Sequence, residues 1–246
     1  MGSCLNCQQP LEGPFCAQCG QKHIPRLSVH KASRDIGQEL FHLDSKLGHT
    51  LLGLLRDPGG TVRRYVEGQR ARYLHPFKFC ITITALFFLW NTWIGVELDA
   101  AVGPGVDNPV LAEKTQAIRA MVMKHLNNIL FLVLPLYALV LTRLFRRSGY
   151  NVAENYVLVL YVTGQVFLIG IVLSAFALVL PHTVTLAARV FVHLSYFVWA
   201  ARGFYGLRGL ATLRAVIAHG LYVLLTMTVV SIMSLIYLFT VLGGLP

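Results

Sequence analysis

Charge is scarce in this chain. Asp, Glu, Lys and Arg make up 13% of its residues, about half the ~25% of an average soluble domain, and only 11 of 246 residues are acidic. A folded domain stays in water by covering itself with polar groups. Here 55% of residues are hydrophobic and the mean hydropathy is +0.60, more apolar surface than one core of this size can hide. The excess must face lipid. The same arithmetic excludes a disordered chain. Cysteine is sparse as well, and five in 246 residues exclude a disulfide-dense secreted scaffold. The local motifs of common catalysts are missing: there is no HExxH, no GxSxG, no Walker loop and no pair of carboxylates inside an apolar stretch. The first residues are polar and cysteine-bearing, without the apolar centre of a secretory leader, so the N-terminus is expected in the cytoplasm.

What is present is a set of long apolar runs. A helix needs about 20 mostly apolar residues to cross a hydrocarbon layer of about 30 Å. Five runs approach this, at about 77–96, 127–142, 156–180, 184–201 and 216–242. The fold class expected is an all-α membrane protein of about five transmembrane helices, preceded by amphipathic helices and a small Cys4 zinc ribbon. Residues 1–25 form the ribbon, 26–76 a basic amphipathic segment, and 77–246 the bundle. The second run carries Pro135 and has soft ends. The fourth contains Arg189 and is short, so a re-entrant or interfacial segment is the alternative there.

The loop charges give an orientation independently of hydropathy. Arg143, Arg146 and Arg147 follow the second run, and Arg202, Arg208 and Arg214 follow the fourth. The loop after the first run holds Glu97, Asp99, Asp107 and Glu113 against Lys114, Arg119 and Lys124, and the turn at Pro181 has no cation before Arg189. Five crossings with the N-terminus in the cytoplasm and the C-terminus outside satisfy the positive-inside rule at every loop.

Four of the five cysteines are spaced Cys4-x2-Cys7-x8-Cys16-x2-Cys19. Two CxxC turns can present four thiolates to one ion and close a tetrahedral site with no open position, the arrangement of structural zinc. One structural zinc ion is therefore expected. Redox dithiols and an iron–sulfur cluster are the alternatives, the first disfavoured by a reducing compartment. A closed site offers no position to substrate, so the ribbon would bind a protein partner or organise its segment. Cys80 reads as an ordinary buried thiol.

Between ribbon and bundle the chain is basic, with eleven Lys or Arg against six acids over residues 1–78. From Val29 to Arg56 the apolar positions Ile36, Leu40, Leu43, Leu47, Leu51 and Leu54 recur at spacings of three and four, the mark of an amphipathic helix or of two helices broken near Asp44-Ser45. Arg56-Asp57-Pro58-Gly59-Gly60 reads as a stop, followed by a short helix over Thr61–Glu67. Arg56, Arg63, Arg64, Arg70, Arg72 and Tyr73 concentrate beside glycines. Arginine forks match phosphate oxygens, and tyrosines favour headgroup depth, so these residues are candidates for an anionic lipid headgroup or a phosphorylated or other small anionic ligand. A plain positive-inside anchor is the alternative. His42, Asp44 and His49 could serve as acid, base or metal ligands only if a break at Asp44 brought them together.

Cys19-Gly20-Gln21, Leu43-Asp44, Thr50-Leu51, Asp57-Pro58-Gly59 and Tyr65-x2-Gly68-x-Arg70-x2-Tyr73-x2-Pro76-Phe77, together with the four cysteines, resemble a bacterial inner-membrane family that begins with a Cys4 zinc ribbon, the domain of unknown function 3667 type. The resemblance is densest over residues 4–80 and reaches weakly to Tyr150-Asn151-x2-Glu154. It implies a multi-pass protein of a bacterial inner membrane, and brings no activity or catalytic residue.

Within the apolar runs a few polar groups stand out. Arg189, His193 and Tyr196 share one helical face, and Glu154 is the one acid after residue 113. Intramembrane ionisable groups are costly, which makes each a functional candidate. Against that, Arg189 can snorkel to the outer interface. His193 could meet Tyr161, Gln165 or Glu154, His219 should lie at the cytoplasmic interface, and Glu154 could pair with a nearby Arg or carry a proton. The leading functional reading is non-enzymatic: recognition, scaffolding or transport at the cytoplasmic face, with membrane lipid as partner. A membrane-embedded lipid-modifying enzyme built on His42, Asp44 and His49 is the alternative. Nucleic acid is disfavoured, because the ribbon carries glutamines and no Arg cluster or aromatic ladder.

Overall fold

The computed structural model describes residues 3–11, 13–21, 46–94, 109–176 and 179–241. Expectations about the first half of the amphipathic segment, including His42 and Asp44, and about the acidic residues Glu97, Asp99 and Asp107, lie outside the described residues. Among the described residues seven α-helices follow in order: α1 (Lys46–Arg56), α2 (Pro58–Val66), α3 (Pro76–Ile94), α4 (Pro109–Leu144), α5 (Val152–Phe176), α6 (His182–Tyr205) and α7 (Leu213–Thr240).

The Pro58-Gly59-Gly60 stretch starts a helix, where the sequence suggested only a stop. Asp57 is the cap of α2, its Oδ1 accepting from Gly60 N at 2.9 Å, and Pro58 takes the first position, where a missing N–H costs nothing. α1 and α2 form a hairpin laid against α5 and α6. Thr50 is fully buried; its hydroxyl donates to Lys46 O and accepts from Leu74 N at 2.8 Å, tying α1 to the start of α3.

Among the described residues four helices are long and apolar enough to cross a membrane: α3, α5, α6 counted from Thr183, and α7 with its preceding turn. They correspond to four of the about five runs expected. The second apolar stretch, Phe131–Leu144, is the shorter end of α4, a single helix of 36 residues and thus about 54 Å long. The charged residues 113–124, expected in a loop, are helical because the stretch is rich in Ala, Glu, Gln, Lys, Arg and Met with no glycine or proline, and Pro109 sits at the first helical position. The fourth run settles as a 24-residue helix, α6, ended by Gly206 in the left-handed conformation.

Neighbouring contacts fix the helix directions. Gly164 of α5 lies against Phe79 of α3 and Gly170 against Phe87, so positions rise together and α3 and α5 are parallel. Asn155 Nδ2 at the start of α5 donates to Thr142 Oγ1 at the end of α4, and Tyr205 at the end of α6 donates to Asn155 Oδ1, so α4 and α6 run the other way. His219 of α7 meets His193 and Phe197 of α6, making α6 and α7 antiparallel. α5 is the central helix, packed on α3, α4 and α6, whereas α7 is the most exposed span. The outcome is an alternating bundle. The start of α3, the α4–α5 connection and the α6–α7 connection gather at one end.

Candidate metal centre and the basic end of the bundle

The two CxxC turns fold alike. Gln8 N donates to Cys4 O and Gly20 N to Cys16 O, and the residue after each second cysteine, Gln8 or Gly20, takes a left-handed backbone with φ of 63° and 68°. This hooks each chain around its pair of sulfurs. All four Sγ atoms lie within 4.8 Å of one another, with Cys4 and Cys19 at 3.6 Å and Cys7 and Cys16 at 3.5 Å. Four thiolates about 2.3 Å from one central ion would be spaced by about 3.8 Å, so the donor set fits a single tetrahedral ion. Backbone N–H groups of Cys7 and Asn6 hold the Cys4 thiol down at about 6, and that of Cys19 lowers Cys16. Cys7 goes to about 12: the Gln9 N–H favours its thiolate, but burial and the neighbouring sulfurs outweigh it. A cation is what would let all four ionise together. The described chain therefore has a site able to hold one metal ion.

This centre is joined to the helices through Gln21. Its Nε2 donates to Gly68 O at 2.6 Å, and its Oε1 accepts from Arg70 N at 2.9 Å and Ala71 N at 3.0 Å. A single side chain thus satisfies three backbone groups of the α2–α3 turn. Gly68 has a φ of 116° and its missing Cβ leaves room for Leu5 of the ribbon. The Cys19-Gly20-Gln21 motif was visible in the sequence, but the role of Gln21 was not.

Several of the candidate anion-binding arginines have partners inside the protein. Arg63 donates through Nη2 to Gly203 O and Phe204 O and through Nε to Phe204 O, capping the carbonyl end of α6. Arg64 donates to Tyr73 Oη, Asp57 Oδ2 and Thr61 Oγ1. Arg70 reaches Tyr65 O at 3.4 Å and stands 5.9 Å from the centroid of that ring. Tyr73 is buried, while Arg56 and Arg72 are exposed, as is His49 on α1.

The intramembrane candidates are placed as follows. Glu154 is buried in a capping box with Asn151: Asn151 N donates to Glu154 Oε2 at 2.8 Å and Glu154 N to Asn151 Oδ1 at 3.0 Å. The Asn-x2-Glu spacing before an apolar run carried that signal, although the sequence reading weighed Glu154 as a charge. His193 meets His219, with ring centroids 4.7 Å apart, and Tyr222 at 5.5 Å; the expected partner Tyr161 instead donates to Leu74 O. His219 is accordingly buried in the bundle. Tyr196 donates to Leu54 O at 2.9 Å, fastening α6 to α1. Arg189 is half-buried, and its Nε and Nη2 have no hydrogen-bond partner among the described residues.

The cations of the connecting segments converge. Arg143 in the last turn of α4, Arg146 and Arg147 just after it, and Arg202, Arg208 and Arg214 around the α6–α7 connection, are exposed at one end of the bundle, the end on which Arg72 and the ribbon also lie. Leu144, Arg146, Arg147 and Arg214 line a cleft of about 280 Å³ there.

Fold and site together define a helical membrane-type protein with a four-cysteine metal-binding appendage. The model of a family described as "Protein of unknown function (DUF3667)" matches residues 44–88, from just before α1 into α3. No curated protein and no solved structure matches the chain. The matched segment contains the Asp57 cap, Arg63, Arg64 and the Gly68–Ala71 turn, so it is the part of this chain that joins ribbon to bundle.

Proposed function

We propose that this is a non-enzymatic, multi-pass protein of a bacterial inner membrane that recognises anionic phospholipid headgroups with its cytoplasmic end, and that its ribbon is a structural zinc module serving as a docking point for a protein partner. The observation that carries the reading is the gathering of exposed arginines from three separate connections at one end of an alternating bundle. Acidic lipid on the cytoplasmic leaflet attracts such a surface, each cation near it contributing about 1 kcal/mol. The positive-inside rule places that end, and with it the ribbon, in the cytoplasm. There the reducing environment keeps the thiols available to zinc.

Lipid retention tests the proposal. Protein extracted gently and exchanged into mixed phosphatidylglycerol–phosphatidylcholine nanodiscs should enrich the anionic species around it, and equal proportions would overturn the reading. Reporter fusions after Ser148 and after Pro181 should place the first in the cytoplasm and the second outside. The reverse would remove the orientation. Elemental analysis should return close to one zinc per chain, reduced to background in Cys16→Ser.

A further inference from the structure

Among the basic groups, Arg146, Arg147 and Arg214 are distinguished by shape as well as charge. They line one cleft, between the carbonyl end of α4 and the first turn of α7. Its volume, about 280 Å³, lies at the small end of ligand pockets and suits a phosphate-sized group better than a larger molecule. None of the three guanidiniums has a hydrogen bond or ion pair with a described residue, in contrast to Arg63 and Arg64.

The scaffold of the cleft is also fixed in place. Arg146 and Arg147 sit on a one-turn 3-10 helix, Arg146–Ser148, closed by Gly149 in the left-handed conformation and by Ser148 Oγ donating to Phe145 O at 2.7 Å. Phe145, the residue before them, is buried and stacked on Tyr205 at 4.0 Å between centroids, and Tyr205 in turn donates to Asn155. Across the cleft Arg214 is in the first turn of the 28-residue helix α7, where backbone N–H groups and the helix dipole add positive potential, and its cap residue Thr212 makes no side-chain capping bond. From Arg214 the same face of α7 continues through Ile217 and Leu221, both exposed and apolar. Charge at one end and an apolar strip running away from it along a span match an amphiphile.

We propose that this cleft is a specific site for the phosphate of an anionic phospholipid, with Arg146, Arg147 and Arg214 as its ligands and Leu144, Ile217 and Leu221 along the acyl chain. The proposal deepens the reading above and rests on it. The test uses native mass spectrometry of the full-length protein, released from nanodiscs, with phosphatidylglycerol and phosphatidylcholine as probes. The wild type should hold phosphatidylglycerol in preference. Arg147→Ala with Arg214→Ala should lower that retention about tenfold further than Arg202→Ala with Arg208→Ala, which removes equal charge from the same end and so loses only the general headgroup attraction. Both pairs are exposed, and a monodisperse elution profile confirms that each variant is folded.

Equal loss in the two double variants would overturn the site and leave general headgroup attraction standing. Absence of any preference in the wild type would overturn both. Release of the lipid by millimolar inorganic phosphate would identify a soluble anion as the occupant and overturn the lipid assignment.

Discussion

The guanidinium of Arg63 lies where the last turn of α6 leaves carbonyls without intrahelical donors, and it bonds to two of them. A charge-assisted bond of this kind contributes about 1.5–3 kcal/mol, and removing the donor leaves the carbonyls unsatisfied. Arg63→Ala should therefore lower the thermal midpoint in detergent by several degrees, and Arg63→Lys should recover little of it, because a point charge cannot serve both Gly203 and Phe204. Unchanged melting in Arg63→Ala would mean the cap carries no weight. Gln8 illustrates the opposite case, a residue working against its conformation. Its φ of 63° costs about 1–2 kcal/mol for a side chain with a Cβ, a strain that Gly20 avoids at the equivalent position. Gln8→Gly should tighten metal binding about fivefold or more in chelator competition. At this scale the cysteine site was legible because its ligands are local and their spacing is the signal. Arg63 was not, since its partners lie 140 and 141 residues away. A cluster of arginines reads the same in sequence whether it serves a ligand or a helix end.

Helices α5, α6 and α7 were legible to within a few residues because each is a long apolar run with few charges and a break at its ends. α4 was not. Its N-terminal half is charged, and charge suggests a loop although the residue types there favour helix. α2 was misread at its start for a related reason: Pro-Gly-Gly disrupts helices in general, yet behind an Asp cap it opens one. The first of these glycines has a further use that only packing reveals. Gly59 lies backbone to backbone with α6, where an added Cβ would run into Ala200 O, Gly203 Cα and Phe204 N. Those are main-chain atoms, which cannot step aside. By contrast a Cβ at Gly164 would meet Phe79 ring atoms at 2.7 Å, and one at Gly170 would meet Phe87 at 3.0 Å, side chains with some freedom to shift. A graded series follows. Gly59→Ala should be the most damaging, at or beyond the upper end of the ~1–3 kcal/mol usual for overpacking, Gly164→Ala intermediate and Gly170→Ala mildest. Midpoints in one detergent would check it, and an inverted order would mean that α2 is not held tightly against α6.

At the scale of the whole molecule, ribbon and bundle draw their stability from different sources. The bundle has its own buried core, with helices packed around α5. The ribbon is too short to build a core, so its fold would depend on an ion held by its four thiolates. The two meet chiefly at the turn where Gln21 accepts from the backbone N–H groups of Arg70 and Ala71 and Leu5 covers Gly68. Loss of metal should release this clasp and little else. Amide hydrogen exchange gives the measurement at the atoms concerned: chelation should speed exchange at Arg70 and Ala71 about tenfold or more, because opening no longer breaks bonds to Gln21. Gln21→Ala should do the same with metal still bound, while amides of Val157 to Val162 in the centre of α5 stay protected in both. Faster exchange throughout α5 on chelation would show that the metal holds the bundle together. No change at Arg70 and Ala71 would show that the ribbon docks without the ion.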